Sequence, residues 1–161
     1  MNHNPQHKII SRENLQPIIV ELQKQGHKIV FTNGCFDIIH IGHVRLLQEA
    51  RNLGDKLIVA INADASVRNL KGTSRPILGV QDRAGMLAAL ACVDYVTFFE
   101  EPLPLETILL LHPDILVKGG DYTLDEIVGY KEVSAYGGKV IAIPLIPGYS
   151  TTTLIEKIKK L

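Results

Sequence analysis

Apolar residues along this chain follow two different rhythms. Five short runs, Ile29–Thr32, Leu57–Asn62, Tyr95–Phe99, Ile115–Lys118 and Val140–Ile143, are almost continuously apolar and rich in β-branched side chains. That is the pattern of strands covered on both faces. Between and around them lie stretches of helical periodicity: Asn14–Gln25, His43–Leu53, Arg83–Ala91, Leu105–Leu111, Glu126–Tyr136 and Thr151–Lys160. The clearest is His43–Leu53, with Val44, Leu47 and Ala50 on one stripe and Arg45, Gln48 and Arg51 off it. Gly54 reads as its C-terminal cap. The helix after Leu105 stops at His112-Pro113, because a residue before proline avoids the α region.

Strands alternating with helices imply βαβ units. The expected fold class is α/β: a single Rossmann-like domain with a five-stranded, mainly parallel sheet flanked by helices. It should cover residues 9–161, behind a flexible N-terminal tail over 1–8. Sheets of this kind bind ligands beyond the carboxyl ends of their strands, where the strand order reverses. The strand-to-helix loops are therefore the places to look for chemistry.

Composition narrows the function classes. The 161 residues suffice for one domain with a sizeable core. Lys plus Arg and Asp plus Glu both total 17, so a broad nucleic-acid-binding surface is not expected. The two cysteines, Cys35 and Cys92, have no metal-like spacing. The start of the chain lacks an apolar leader, and no run approaches the ~18 apolar residues of a membrane helix. A cytoplasmic protein without membrane or nucleic-acid partners is the expectation.

The first strand leads into Thr32-Asn33-Gly34-Cys35-Phe36-Asp37-Ile38-Ile39-His40-Ile41-Gly42-His43. Gly34 and Gly42 permit close backbone approach to a ligand. The start of the following helix offers unpaired N–H groups and a partial positive charge, a natural phosphate site. His40 and His43 stand side by side on one helical turn, from which imidazoles can donate to phosphate oxygens. Neither a P-loop pattern nor a Gly-x-Gly-x-x-Gly fingerprint occurs.

Three further loops add candidates. Lys71 and Arg75, in Lys71-Gly72-Thr73-Ser74-Arg75-Pro76, offer a mobile point charge and a bidentate oxyanion partner. Lys118-Gly119-Gly120-Asp121-Tyr122 leaves the fourth strand with Lys118 aimed at the cleft and Asp121 free for a sugar or a metal. Gly148-Tyr149-Ser150-Thr151-Thr152 precedes the last helix and brings hydroxyls to its start.

The His-x-Gly-His segment behind Asn33 to Asp37 resembles the signature of the cytidylyltransferase-like nucleotidyltransferases. Ser150-Thr151-Thr152 resembles that family's second signature. The resemblance runs from about Lys28 to Lys160. It implies that Asn33, Gly34, Cys35, Phe36, His40, Gly42, His43, Lys71, Gly119, Gly148, Ser150, Thr151 and Thr152 hold a nucleotide, with His40, His43 and Lys71 catalytic. The base would rest near Gly119 and the last strand. Asp37, Arg75, Lys118 and Asp121 would face the acceptor, and Asp37 or Asp121 would be the candidate carboxylate for a Mg²⁺ carried mainly by phosphates. Class I aminoacyl-tRNA synthetases share His-x-Gly-His, but their Lys-Met-Ser-Lys-Ser motif is missing here.

Within the family, Leu145-Ile146-Pro147-Gly148 stands where glycerol-phosphate cytidylyltransferases carry Arg-Thr-Glu-Gly. The combined motifs are closer to the branch of bacterial adenylyltransferases acting on D-glycero-β-D-manno-heptose 1-phosphate. In many bacteria that activity is fused to a kinase, and this chain reads as the transferase part alone. The branch implies ATP and a sugar 1-phosphate as substrates, Mg²⁺ as cofactor, a place in lipopolysaccharide or surface-glycan precursor synthesis, and a homo-oligomer, a dimer. Leu103–Leu111 would then be interface or core. A glycerol-phosphate cytidylyltransferase, an FAD-synthetase-type adenylyltransferase and a non-catalytic nucleotide sensor stand as alternatives.

Overall fold

A computed structural model describes residues 4–161. Its five strands are β1 (Ile29–Gly34), β2 (Lys56–Asn62), β3 (Tyr95–Phe99), β4 (Ile115–Gly119) and β5 (Lys139–Ile143). All neighbouring pairs are parallel, in the order β3-β2-β1-β4-β5. The chain runs outward from β1 to β3, then crosses back to place β4 on the other side of β1. The order thus reverses between β1 and β4, and a crevice opens above their carboxyl ends.

The helices are α1 (Arg12–Lys24), α2 (Ile41–Arg51), α3 (Asp64–Lys71), α4 (Val80–Ala88), α5 (Leu105–Leu111), α6 (Tyr130–Ala135) and α7 (Thr151–Lys159). The pleat sorts alternate strand residues to two cores. Val30, Val59, Ile61 and Val117 pack with Leu46, Leu47 and Ala50 of α2 and Ala84, Leu87 and Ala88 of α4. Phe31, Ile58, Ala60 and Leu116 pack on the opposite face with Leu15 and Ile19 of α1, Ile108 and Leu111 of α5 and Val133 of α6. Among the described residues no helix is long and apolar enough to cross a membrane.

Several boundaries differ from the sequence expectation for identifiable reasons. Helix α3 lies between β2 and the Lys71 loop, where only a loop was expected. It is short, has no side-chain cap, and buries only Ser66 and Val67, so its signal in the sequence is brief. Gly54 is not the helix cap: α2 ends at Arg51 and Asn52 is its C-cap. Gly54 serves close packing instead, since a Cβ there would lie 2.8 Å from the Lys28 carbonyl oxygen. The stretch Glu126–Tyr136 splits into a 3-10 turn at Leu124–Glu126 and α6, with Gly129 at φ +92° in the break.

Part of the expected tail over 1–8 is described. Pro5–Lys8 form a 3-10 turn capped by Asn4. Lys8 Nζ donates to the carbonyls of Val93 (2.7 Å) and Leu90 (3.3 Å), and Ile10 N–H donates to Val96 O. Residues 1–3 of that expected tail lie outside the described residues. Within Leu103–Leu111, Ile108 and Leu111 are buried in the core, whereas Leu109 and Leu110 are exposed.

Candidate active site

A cleft of about 550 Å³ opens over the ends of β1 and β4. It gathers residues from every loop singled out in the sequence. Asn33, Gly34, Cys35, Phe36 and Asp37 come from the β1 loop, and His43 from α2. Lys71 comes from the end of α3, Arg75 from the α3–α4 connection, Lys118 from β4, and Ser150, Thr151 and Thr152 from the start of α7.

The β1 loop is shaped around its own aromatic ring. Phe36 is buried at φ +46°, a left-handed conformation that a bulky residue adopts only under constraint. Its ring covers Gly34, where a Cβ would come within 2.9 Å of it. It also tilts against His43, with ring centroids 5.1 Å apart. Gly34 is therefore required by the phenylalanine as much as by any ligand.

His40 is the N-cap of α2. Its carbonyl and its Nδ1 both accept from the His43 N–H, at 2.9 and 3.4 Å. The neutral ring then carries its proton on Nε2. The two imidazoles stack, with centroids 3.7 Å apart and planes 20° from parallel. Gly42 makes this possible, because a Cβ there would meet the His40 ring at 3.0 Å and Tyr149 Cβ at 3.2 Å. Only His43 borders the cleft; His40 backs it.

Burial, and then the neighbouring His40, push the His43 pKa down to about 4. Its Nδ1 is buried without a hydrogen-bond partner. The Ile38 carbonyl lies near enough to favour the proton slightly, though outside hydrogen-bond geometry. Burial also lowers the His40 pKa. The free site therefore holds the pair neutral, and an entering polyanion is what favours protonation.

At α7, Ser150 is the N-cap, its Oγ accepting from Thr153 N–H at 3.0 Å. Thr151 Oγ1 donates to Ile38 O at 3.4 Å, tying this helix start to the loop before α2. Two helix N-termini thus converge on one end of the cleft, each contributing partial positive charge. Lys71 ends α3, where the helix dipole favours a cation, and Gly72 follows at φ +94°. Lys118 is partly buried. Desolvation lowers its pKa, with nearby Cys35 opposing and the charge of Lys71 adding to the shift.

Other expected residues need reassignment. Asp37 lines the cleft, but its carboxylate is engaged by the protein. Its carboxylate is buried and accepts from the Arg75 guanidinium and from the N–H groups of Ile77 (2.8 Å) and Leu78 (3.0 Å). Burial alone would raise its pKa, but the Leu78 and Ile77 N–H groups and Arg75 outweigh that and hold the carboxyl below its usual range. With its oxygens so engaged, Asp37 is a poor metal ligand. Asp121 is exposed and does not border the cleft. Gly119 is packed closely on its Cβ side: a Cβ there would strike Leu46 at 2.6 Å and Leu145 at 3.1 Å. Gly148, at φ +85°, shapes the turn before Ser150 and does not line the cleft.

The sequence reading missed Asn62, Pro102, Leu103, Pro104, Tyr122 and Glu126–Val128, which complete the walls. Asn62 is buried at the end of β2 and donates to Ser66 Oγ at 3.0 Å. It also missed Arg83. This fully buried guanidinium donates to Cys35 O (2.7 Å), Asn62 O (2.8 Å), Leu78 O (3.0 Å) and Asp64 Oδ1 (2.7 Å). It fastens together the β1 loop, the end of β2, the start of α3 and the Arg75 loop. The signal was present: Arg83 stands on the same stripe of α4 as Ala84, Leu87 and Ala88. A charge on a buried stripe must be fully paired.

The cytidylyltransferase-like family model matches residues 31–157. The chain belongs to this family of nucleotidyltransferases. It is 54% identical over 151 residues to a protein of Syntrophotalea carbinolica named bifunctional protein HldE, covering 94% of this chain and 31% of that one. The HldE protein of Geobacter sulfurreducens is 52% identical over 153 residues, 95% of this chain and 31% of the relative. The chain therefore spans about a third of the length of these curated relatives. A lipopolysaccharide core biosynthesis protein of Thermoplasma volcanium has a similar structure, with TM-score 0.62 and 30% identity over 75% of this chain and 98% of that one. A pantoate-beta-alanine ligase of Francisella tularensis shares the fold at TM-score 0.62 and 17% identity, covering 95% of this chain and 78% of the ligase.

For this family, the cleft supplies what an in-line transfer needs. Two helix termini and the His43 edge can receive phosphates at one end. Two lysines that make no ion pair among the described residues reach in from elsewhere.

Proposed function

We propose that the chain transfers AMP from ATP to a sugar 1-phosphate, D-glycero-β-D-manno-heptose 1-phosphate, releasing pyrophosphate and forming ADP-heptose for surface-glycan precursors. One observation carries the reading. His43, Ser150–Thr152, Lys71 and Lys118 meet in one cleft at the switch point of the sheet, on the motifs of the heptose 1-phosphate adenylyltransferase branch. The relatives named HldE and the relative named for lipopolysaccharide core biosynthesis support the choice of acceptor.

The β- and γ-phosphates lie on the N-termini of α2 and α7, with the His43 imidazole donating to them. Charge grows on the bridging oxygen as pyrophosphate leaves, and imidazolium formation in the occupied site stabilises it. Lys71 reaches over the phosphates as a mobile cation. No general base is required, because a phosphate monoester with a second pKa near ~6 is already anionic at neutral pH. ATP enters as its Mg²⁺ complex. When bound with the nucleotide, Mg²⁺ would offset pyrophosphate charge, and Asp37, whose oxygens are engaged, is not free to hold it.

The test is pyrophosphate release with ATP or CTP against a panel of phosphorylated acceptors. Heptose 1-phosphate with ATP should give the highest kcat/KM, with ATP at least about tenfold ahead of CTP, a difference of ~1.4 kcal/mol. Preference for CTP with glycerol 3-phosphate would install the cytidylyltransferase reading. Transfer to FMN would install the FAD-synthetase reading. Nucleotide binding without turnover on any acceptor would mean a sensor.

A further inference from the structure

We infer that the ammonium of Lys118 is the docking point for the acceptor's phosphate, on the side of the cleft opposite the pyrophosphate. The inference rests on the proposed transfer to a phosphorylated acceptor and assigns the position from which that acceptor attacks.

The two flanks of the cleft are set by the pleat of the sheet. Leu116 of β4 packs in the core beneath α5 and α6, and Val117 packs in the core beneath α2. Alternation places Lys118 on the Leu116 face, and Asn33, two residues after Phe31, on that face as well. The wall there is built by Pro102–Pro104, before α5, and by Ile127 and Val128, before α6. The histidines belong to the other flank, because α2 packs Leu46, Leu47 and Ala50 against the opposite core. Ser150–Thr152 join them through the Thr151–Ile38 hydrogen bond.

The chemistry requires two flanks. An oxygen of the acceptor phosphate forms a bond to the α-phosphorus while the bond from that phosphorus to the bridging oxygen breaks. Pyrophosphate leaves with the electron pair of that bond, and no proton needs to move. Attacking and leaving oxygens lie roughly in line across the phosphorus. If the α2 and α7 termini hold the leaving group, the nucleophile must come from the Lys118 side.

Lys118 is prepared for an anion and has no carboxylate partner among the described residues of the protein. Among the described residues no carboxylate lies within ion-pair distance of it or of Lys71. Desolvation and the charge of Lys71 both disfavour its protonated form, while nearby Cys35 works the other way without reversing the shift. A dianionic monoester placed at Lys118 relieves both effects. A neutral hydroxyl acceptor would relieve neither, so the residue also selects for phosphorylated acceptors.

Direct binding tests this without requiring turnover. A non-hydrolysable ATP analogue, α,β-methylene-ATP with Mg²⁺, is titrated into wild type, Lys118→Met and Lys118→Arg. Heptose 1-phosphate is then titrated into each analogue-saturated protein. Lys118→Met should bind the analogue within about twofold of wild type and lose about tenfold or more in affinity for the sugar phosphate. Lys118→Arg should retain most of that affinity. Because the methionine removes an unpaired charge, its melting temperature should not fall. Equal losses for analogue and sugar phosphate would place Lys118 on the triphosphate and overturn the inference, as would an unchanged sugar-phosphate affinity. If wild type does not bind heptose 1-phosphate, glycerol 3-phosphate replaces it as probe. Lys118-dependent binding then upholds the subsite while the heptose reading falls. Absence of binding by either monoester overturns both.

Discussion

The imidazoles of His40 and His43 lie face to face at a centroid distance of 3.7 Å, and the backbone N–H of His43 donates to Nδ1 of His40. Two stacked imidazoles cannot both be protonated cheaply, and burial reinforces that for His43, whose pKa falls to about 4 from 6.5. The unfolded chain therefore binds more protons than the folded one between those values. Stability should be fully present above about pH 6.5 and decline as pH falls toward 4. The loss attributable to His43 is of the order of 3 kcal/mol at most. Urea melts of wild type and His43→Asn from pH 4.5 to 8 check this, and the variant should show a shallower acid limb.

The same pair should matter more to kcat than to ATP binding, because its charge develops only with the ligand. His43→Asn keeps a donor but cannot become cationic, and should lose on the order of 10²–10³ in kcat. His40→Asn, one layer back from the cleft, should lose less. Near-normal kcat for His43→Asn with weaker ATP binding would make the histidine a ground-state anchor.

Arg83 should be the most sensitive buried polar position. Replacing it with Met leaves three carbonyls and the Asp64 carboxylate short of a donor, at a cost of about 3–5 kcal/mol. Arg83→Lys keeps the charge but cannot reach four acceptors on separate segments. It should fold with reduced stability and show a lower kcat, because the β1 loop and the Arg75 loop lose their common tie. Denaturation midpoints measured beside kcat and KM decide the point. A lysine variant with wild-type kinetics would make Arg83 purely a folding residue.

These contrasts trace what the sequence made legible. The strands could be placed because buried parallel strands are continuous apolar runs, and Tyr95–Phe99 and Leu105–Leu111 match the structure at both ends. The His-x-Gly-His and Ser-Thr-Thr segments could be placed because their neighbours are local. Asp37 and Arg75 were harder: each is a credible ligand group alone, and only the folded Arg75 loop reveals that they satisfy each other. Gly119 was ambiguous for a similar reason. A glycine at a strand end signals a close approach, but not whether the approaching atoms belong to a ligand or to Leu46. Pro102–Pro104 and Glu126–Val128 carry no motif, because they wall the cleft by position alone.

Lys71 is exposed at the end of α3 and makes no ion pair among the described residues. Lys71→Ala should therefore leave the denaturation midpoint within the error expected of a surface change, about 0.5 kcal/mol. Activity should fall, with kcat/KM for ATP down by about tenfold or more, since a charge-assisted contact to phosphate is removed. Wild-type kinetics in this variant would return the Gly72–Arg75 loop to solvent.

Asp37 separates a structural carboxylate from a metal ligand. Its oxygens are occupied by Arg75 and by the Ile77 and Leu78 N–H groups, so Asp37→Asn should act through the loop. The amide retains one acceptor and turns an NH₂ group toward donors, which should cost about 2 kcal/mol. The folded carboxyl has a lowered pKa, so its contribution is present above the ordinary aspartate value of about 3.9 and is lost as pH falls through the lower folded value. The variant should lack that part of the acid limb, most visibly below pH 4. Activity should fall because Arg75 loses its anchor, and Arg75→Met should produce a similar loss. Titrating Mg²⁺ at fixed ATP is the deciding measurement. If the ion is carried by phosphates, the Mg²⁺ concentration for half-maximal rate should match wild type within about twofold even as kcat drops. A rise of about tenfold or more, with kcat recovered at high Mg²⁺, would make Asp37 a metal ligand in the working enzyme and would mean that the Arg75 loop opens when substrate binds.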